Sequence, residues 1–171
     1  MSEAFRGEFT QRVDGKARVS IPAAFRRVLE AGDPDSTRKR IVMVYGDTRR
    51  KFVECYTIAG AARLEKKIGK LPIGSKERRM LERNMITLSA TVEIDDDGRI
   101  VLPPKVREKA GISPEETAKG AEAVFAGTLE TFQIWKSDVY DGEILRLAEE
   151  DMASLEEGVD ILSLLGDSEG D

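Results

Sequence analysis

Histidine is missing from all 171 residues. Its absence removes Ser-His-Asp and Cys-His nucleophilic relays and most zinc sites, each of which needs an imidazole. Carboxylates are left as the acid/base candidates near neutral pH. Cysteine occurs once, at Cys55, so no internal disulfide can form. Its place beside Tyr56 in an apolar stretch suits a small buried packing residue better than a redox group. Long apolar runs are also lacking: the longest, residues 41–45, is far short of the roughly 20 residues that span a bilayer. Neither a Gly-x-x-x-x-Gly-Lys phosphate loop nor a Gly-x-Gly-x-x-Gly fingerprint occurs. The first residues carry no basic start followed by an apolar core, so a cytoplasmic location is expected. These gaps point away from an enzyme, a cofactor, a bound metal and a membrane segment.

Charge is what the chain has in quantity. The net charge is −5, which taken as an average argues against a polyanionic partner. The distribution reverses that reading. Residues 1–136 hold 26 Lys/Arg against 20 Asp/Glu, whereas residues 137–171 hold one arginine against 12 acids. A basic body thus carries an acidic tail, and local field rather than total charge decides whether a surface attracts phosphates.

The body is a duplication. Val13-Asp14-Gly15-Lys16-Ala17-Arg18-Val19-Ser20-Ile21-Pro22 recurs 81 residues later as Ile94-Asp95-Asp96-Asp97-Gly98-Arg99-Ile100-Val101-Leu102-Pro103. The offset persists through Arg26 and Arg107 to the closing glycines Gly46 and Gly127, then falls to 79, pairing Val53-Glu54-Cys55-Tyr56 with Phe132-Gln133-Ile134-Trp135. Residues 8–13 and 91–94 precede Asp/Gly turns, and residues 18–21 and 99–102 follow with alternating polarity, so each motif reads as a β-hairpin. Pro22 and Pro103 suit the first turn of a short helix, which Gly32 and Gly111 end. Residues 41–45 and 122–125 read as buried strands, each pairing with the next at 52–56 and 131–135. Each unit is therefore ββαββ.

Between the units, residues 59–68 and 76–87 read as helices, with Ser75 as an N-cap. Lys66, Lys67, Lys70, Lys76, Arg78, Arg79 and Arg83 make this linker basic; such a face is either a phosphate track or simply solvated. Past Trp135, Leu145, Ala148, Met152 and Leu155 mark an apolar stripe at helical spacing, and Gly158 separates a second stripe through Ile161 and Leu165. Residues 166–171 are expected to be disordered.

So small a unit cannot close a core alone, and two are expected to complete each other's sheet in a pseudo-symmetric pair. That places both Asp-x-x-x-Arg turns on one face. A carboxylate on one side of a turn can hold a guanidinium on the other, leaving donors for a phosphate or a guanine edge. The alternative is that each pair only closes its turn. Repetition of the pair, with Arg12, Lys16, Arg26, Arg27, Lys105 and Arg107 nearby, favours nucleic acid. Tyr56 and Trp135 occupy equivalent strand positions and suit packing rather than base stacking.

These residues resemble the MraZ family, whose units belong to the AbrB/MazE-like, swapped-hairpin group of bacterial DNA-binding domains. The likeness rests on Phe5-Arg6-Gly7, on Asp14 and Arg18 followed by Ile21-Pro22 and Phe25-Arg26, on Asp95 and Arg99 followed by Leu102-Pro103 and Arg107, and on Trp135. It covers about residues 5–151. The resemblance implies an α+β, mainly β fold: two tandem ββαββ swapped-hairpin units forming a pseudo-symmetric β-barrel, with linking helices and a C-terminal helix. The implied division is a first unit at 5–58, a helical linker at 59–87, a second unit at 88–136 and an acidic helical tail at 137–171. It also implies a sequence-specific repressor of the division and cell-wall gene cluster, nucleoid-associated and binding direct repeats upstream of its own gene as a ring-shaped homo-oligomer. Arg18 and Arg99 carry over as DNA contacts, Asp14 and Asp95 as their orienting partners, Lys16 as a phosphate contact, and Arg12, Arg26 and Arg107 as further candidates.

The second turn departs by lacking a counterpart of Lys16, which ranks the first turn as the stronger contact. Two rivals stay open. One is an antitoxin-like interaction protein whose acidic tail masks a partner protein. The other is a carboxylate hydrolase built on Asp95, Asp96 and Asp97, a triplet that equally suits a plain turn.

Overall fold

The strands expected from period-two alternation form, some pairing within a copy and others between the copies. A computed structural model describes residues 4–166. The first copy supplies β1 (Glu8–Val13), β2 (Arg18–Ser20), α1 (Ala23–Ala31), β3 (Arg40–Val44) and β4 (Val53–Tyr56). The second supplies β5 (Ser89–Glu93), β6 (Arg99–Val101), α4 (Pro104–Ala110), α5 (Pro114–Ala118), β7 (Ala121–Gly127) and β8 (Thr131–Lys136). One sheet has the order β1-β7-β8-β4-β3-β5, and β2 with β6 makes a separate two-stranded ribbon. Exchanging the copies turns β1-β7-β8 into β5-β3-β4, which reproduces the same order reversed. The expected pseudo-symmetry is therefore present in the pairing: β1 of the first copy joins β7 of the second, and β5 of the second joins β3 of the first.

The local hairpins need correction. Asp14 N–H donates to the Arg18 carbonyl at 3.0 Å and Asp95 N–H to that of Arg99 at 2.8 Å, so both turns close. Beyond them the arms part, β1 and β5 entering the large sheet while β2 and β6 pair with each other. A three-residue arm offers little ladder of its own, whereas crossing to the other copy buries Val19 and Ile100 back into the core. The hairpins β3–β4 and β7–β8 form within their copies, as expected.

One core serves both copies. Phe5, Phe25, Phe125, Phe132, Ile41, Met43, Val19 and Ile100 all belong to it. Phe25 from α1 lies 5.3 Å from Phe5 and 5.0 Å from Phe132 of β8, so aromatic packing ties the N-terminal segment to the second copy. The repeated closing glycines have a steric cause: a Cβ at Gly46 would strike the Asn84 backbone, and one at Gly127 the backbone of Phe5 and Arg6. Cys55 is buried in this core, and burial pushes its thiol pKa well up. Trp135 packs against Phe52 in a tilted arrangement, ring centroids 5.0 Å apart, and donates from Nε1 to Gln133 Oε1, a packing role.

The helices follow their caps. Pro22 and Pro103 stand at the N-cap rather than inside the first turn, and Pro104 takes the first helical position of α4. Phe25, Val28 and Leu29 are the buried face of α1; in α4 only Val106 and Ala110 are buried, while Lys109 donates to the Asp47 carbonyl at 2.7 Å. The extra helix α5 makes the second copy ββααββ, started by Ser113 as cap and Pro114. In the first copy the comparable stretch forms no helix. There Asp33, 3% exposed, binds Arg40 through both carboxylate oxygens at 2.9 and 3.1 Å, and the Arg40 hydrogen bonds hold its pKa below the usual carboxylate range. The linker forms α2 (Ile58–Gly69), capped by Thr57, and α3 (Lys76–Leu81), capped by Ser75; α3 loosens into a π-helical turn over Glu82–Thr87.

Among the described residues, 4–137 and 138–166 are separate compact units. The second carries α6 (Ser137–Ser154), where Arg146 bridges Glu143 and Glu150 at 2.6 Å each, and a 3₁₀ turn over Ile161–Leu165. The expected stripes are not buried: Leu145, Met152, Ile161 and Leu165 are exposed, and so are Leu162 and Leu164 between them. Of the tail expected to be disordered, residues 167–171 lie outside the described residues.

Candidate nucleic-acid interface

The ribbon fixes which side chains face outward. Its register pairs Arg18 with Val101, Val19 with Ile100 and Ser20 with Arg99. Cross-strand partners share a face, as do residues two apart on one strand. With Val19 and Ile100 buried, Arg18, Ser20, Arg99 and Val101 form the outer face. Backbone bonds from Ile21 N–H to the Gly98 carbonyl and from Leu102 N–H to the Ala17 carbonyl, both 2.9 Å, tie each turn to the opposite strand. The two turns therefore sit at opposite ends of one ribbon, with their arginines on its common face.

In the first turn Asp14 Oδ1 accepts the backbone N–H groups of Lys16 and Arg18, each at 2.9 Å, and Oδ2 accepts Arg18 Nε at 2.7 Å. The Arg18 backbone N–H is the largest influence holding the Asp14 pKa below its ordinary value, and the Arg18 guanidinium adds to it. Gripped at Nε, Arg18 makes no other side-chain hydrogen bond among the described residues, which leaves its two terminal nitrogens unengaged. That is the geometry of a preset two-pronged donor. Lys16 is exposed beside it.

The second turn keeps the backbone pattern and loses the grip. Asp95 Oδ1 accepts Asp97 and Arg99 N–H at 2.9 Å, and the Arg99 backbone N–H chiefly lowers its pKa. Arg99 Nε, however, lies 3.7 Å from Asp95 Oδ2 and is buried without a hydrogen bond, while Nη2 donates to Asp97 at 3.3 Å. A cation that stood as Lys16 in the first copy is an anion here, and it draws on the arginine. Asp95 and Asp97 are thus engaged in closing the turn and holding Arg99, and among the described residues no group of three or more His, Cys, Asp or Glu could hold a metal ion.

The remaining candidates are not gathered at the ribbon's outer face. Arg26 lays its guanidinium against Gly98, where a Cβ would collide with it, and its Nε is buried without a hydrogen bond. Arg107 donates to the Ile112 carbonyl at 3.3 Å and to Thr117 Oγ1 at 3.1 Å. Arg12 is exposed on β1, with its guanidinium over Gly120. In the linker, Arg78 is engaged with Glu82 and the Leu71 carbonyl, whereas Lys66, Lys67, Lys70, Lys76, Arg79 and Arg83 are exposed. Sequence reading missed Ser20 and Val101, although counting two residues along from Arg18 and Arg99 finds both. No described helix is long and apolar enough to cross a membrane.

Comparison with known proteins places this geometry in context. A family model described as "MraZ protein, putative antitoxin-like" matches residues 85–159. A protein of Cereibacter sphaeroides (strain KD131 / KCTC 12085) named transcriptional regulator MraZ is 60% identical over 167 residues, covering 96% of this chain and 97% of the relative. One of the same name from Ruegeria pomeroyi is 45% identical over 99% of each chain. Another, from Parvibaculum lavamentivorans, is 34% identical over 80% of this chain and 78% of its own.

Proposed function

The chain belongs to the MraZ family, and from that premise we propose that it is a DNA-binding transcriptional regulator whose β2–β6 ribbon reads duplex DNA. The observation that carries this reading is Arg18, on the outer face of the ribbon, gripped at Nε by Asp14 with its two terminal nitrogens unengaged beside exposed Lys16. A guanidinium held this way meets the O6 and N7 acceptors of guanine with little loss of side-chain entropy. Arg99 is the weaker second contact, Asp14 and Asp95 are positioning residues, and Lys16 and Arg12 meet phosphates. Arg26 and Arg107 act from behind, through the turn and the α4–α5 corner.

The strand exchange and shared core support reading the body as two AbrB/MazE-like swapped-hairpin units, 5–58 and 88–136, closed into a barrel and joined by the linker at 59–87. The proposed biology is repression of the division and cell-wall gene cluster by a cytoplasmic, nucleoid-associated ring of copies bound to direct repeats upstream of its own gene. A ring adds several weak, salt-sensitive contacts through effective concentration. Exposed Leu145, Leu162, Leu164 and Leu165 favour one second reading, an antitoxin-like role in which the acidic segment 138–165 masks a partner protein.

Equilibrium binding of wild type and Arg18→Ala to the duplex upstream of its coding sequence, at several salt concentrations, tests the first reading. Loss of a base contact costs about 1–3 kcal/mol. Affinity unchanged in the variant would remove the site assignment.

A further inference from the structure

Only two of the four outward side chains of the ribbon are cations. The others, Ser20 and Val101, occupy equivalent places in the two copies, 81 residues apart, and differ completely in chemistry. Val101 is 55% exposed, an isopropyl group held out in solvent directly opposite Arg18. Cβ atoms of directly paired residues lie about 4.5–5.5 Å apart, so whatever Arg18 touches has Val101 within reach of its neighbour.

Given the reading of the ribbon as the DNA face, on which this inference rests, we propose that Val101 is a specificity-determining residue that packs against the 5-methyl group of a thymine beside the guanine met by Arg18. The major groove admits a two-stranded ribbon, and the thymine methyl is the apolar group that base pairs present there. Ser20, at the matching place beside Arg99, offers a hydroxyl that donates or accepts at many base edges. The pseudo-two-fold axis of the ribbon passes between Val19 and Ile100, so two identically surrounded arginines would read either direction of a site equally. The Ser20/Val101 pair adds a difference in base chemistry to the unequal hold on the two arginines and makes the bound element oriented. An oriented element suits repeats that all run one way rather than inverted half-sites.

The test uses the full-length protein and duplexes enriched by it from a randomised pool. Each thymidine of the enriched duplex is replaced singly by deoxyuridine, which deletes only the methyl. One such replacement, next to a guanine, is expected to weaken wild-type binding about fourfold, the equivalent of one buried methyl-sized group. Val101→Ser is expected to bind the two duplexes equally, and Val101→Thr, which keeps the β-branch suited to a strand, to lie between. If no replacement weakens the wild type, or if Val101→Ser remains as sensitive as wild type, the thymine contact is overturned while a retained guanine preference leaves the ribbon reading standing. If the pool yields no enriched sequence, the reading of the ribbon itself fails and this inference falls with it.

Discussion

At equivalent positions of the two turns stand Lys16 and Asp97, Ala17 and Gly98, Ser20 and Val101, while the aspartate, the arginine and the backbone hydrogen bonds are the same in both. The shared frame determines where an arginine sits, and its neighbours decide what that arginine does. Ala17 adopts φ +62° and Gly98 φ +75°, the left-handed conformation that glycine takes without strain. The missing side chain at Gly98 leaves room for the Arg26 guanidinium behind the second turn. Behind the first turn the Ala17 methyl is buried, and Arg107, the counterpart of Arg26, bonds instead to Ile112 and Thr117. The first turn is thus a freestanding donor, and the second is held from in front by Asp97 and from behind by Arg26.

Exchanging the turn residues gives the largest expected effect. Gly98→Ala forces a Cβ into Arg26 at a left-handed position and should lower unfolding stability in urea by about 2 kcal/mol. Ala17→Gly relieves backbone strain but gives up a buried methyl and adds unfolded-state entropy, leaving a net change within about 1 kcal/mol. Equal costs at the two sites would erase the distinction. The charges come next. Lys16→Ala should reduce the log–log salt slope of DNA binding by about one unit, whereas Asp97→Ala, by releasing Arg99, should strengthen binding. A weaker Asp97→Ala complex would mean that Asp97 positions Arg99 productively.

Acid provides the smallest and sharpest difference. Both aspartates have pKa values lowered by the hydrogen bonds of the folded turn, so their contribution is complete above the ordinary aspartate pKa and is lost as pH falls through the lowered value. Asp14 accepts a third bond, from Arg18 Nε, that Asp95 does not receive from Arg99. Carboxyl carbon NMR titration should therefore find Asp14 the last of the two to protonate. The reverse order would indicate that the 2.7 Å contact does not persist in solution.

Much of this was legible beforehand where the signal is local. Ser75 as a cap, Gly111 as a left-handed helix end and the 81-residue repeat all act within a few residues or through self-similarity. The helix α5 was legible too, in Ser113-Pro114, but a repeat-based reading passes over what one copy has and the other lacks. The roles of Arg26 and Arg107 were not legible, because each depends on a residue of the opposite copy or of a later helix. The π turn at Glu82–Thr87 was likewise hidden, since the chain there reads as an ordinary helix.

Composition and pattern alone determined that this is a duplicated, histidine-free, charge-segregated chain with two Asp/Arg turns, because each of those properties is written in residue identity and spacing. Strand partners are chosen by which apolar faces can be buried together, and that is a property of the whole chain rather than of any segment. Only the tertiary structure could therefore part the hairpin arms, join β2 to β6, and set Ser20 and Val101 beside the arginines.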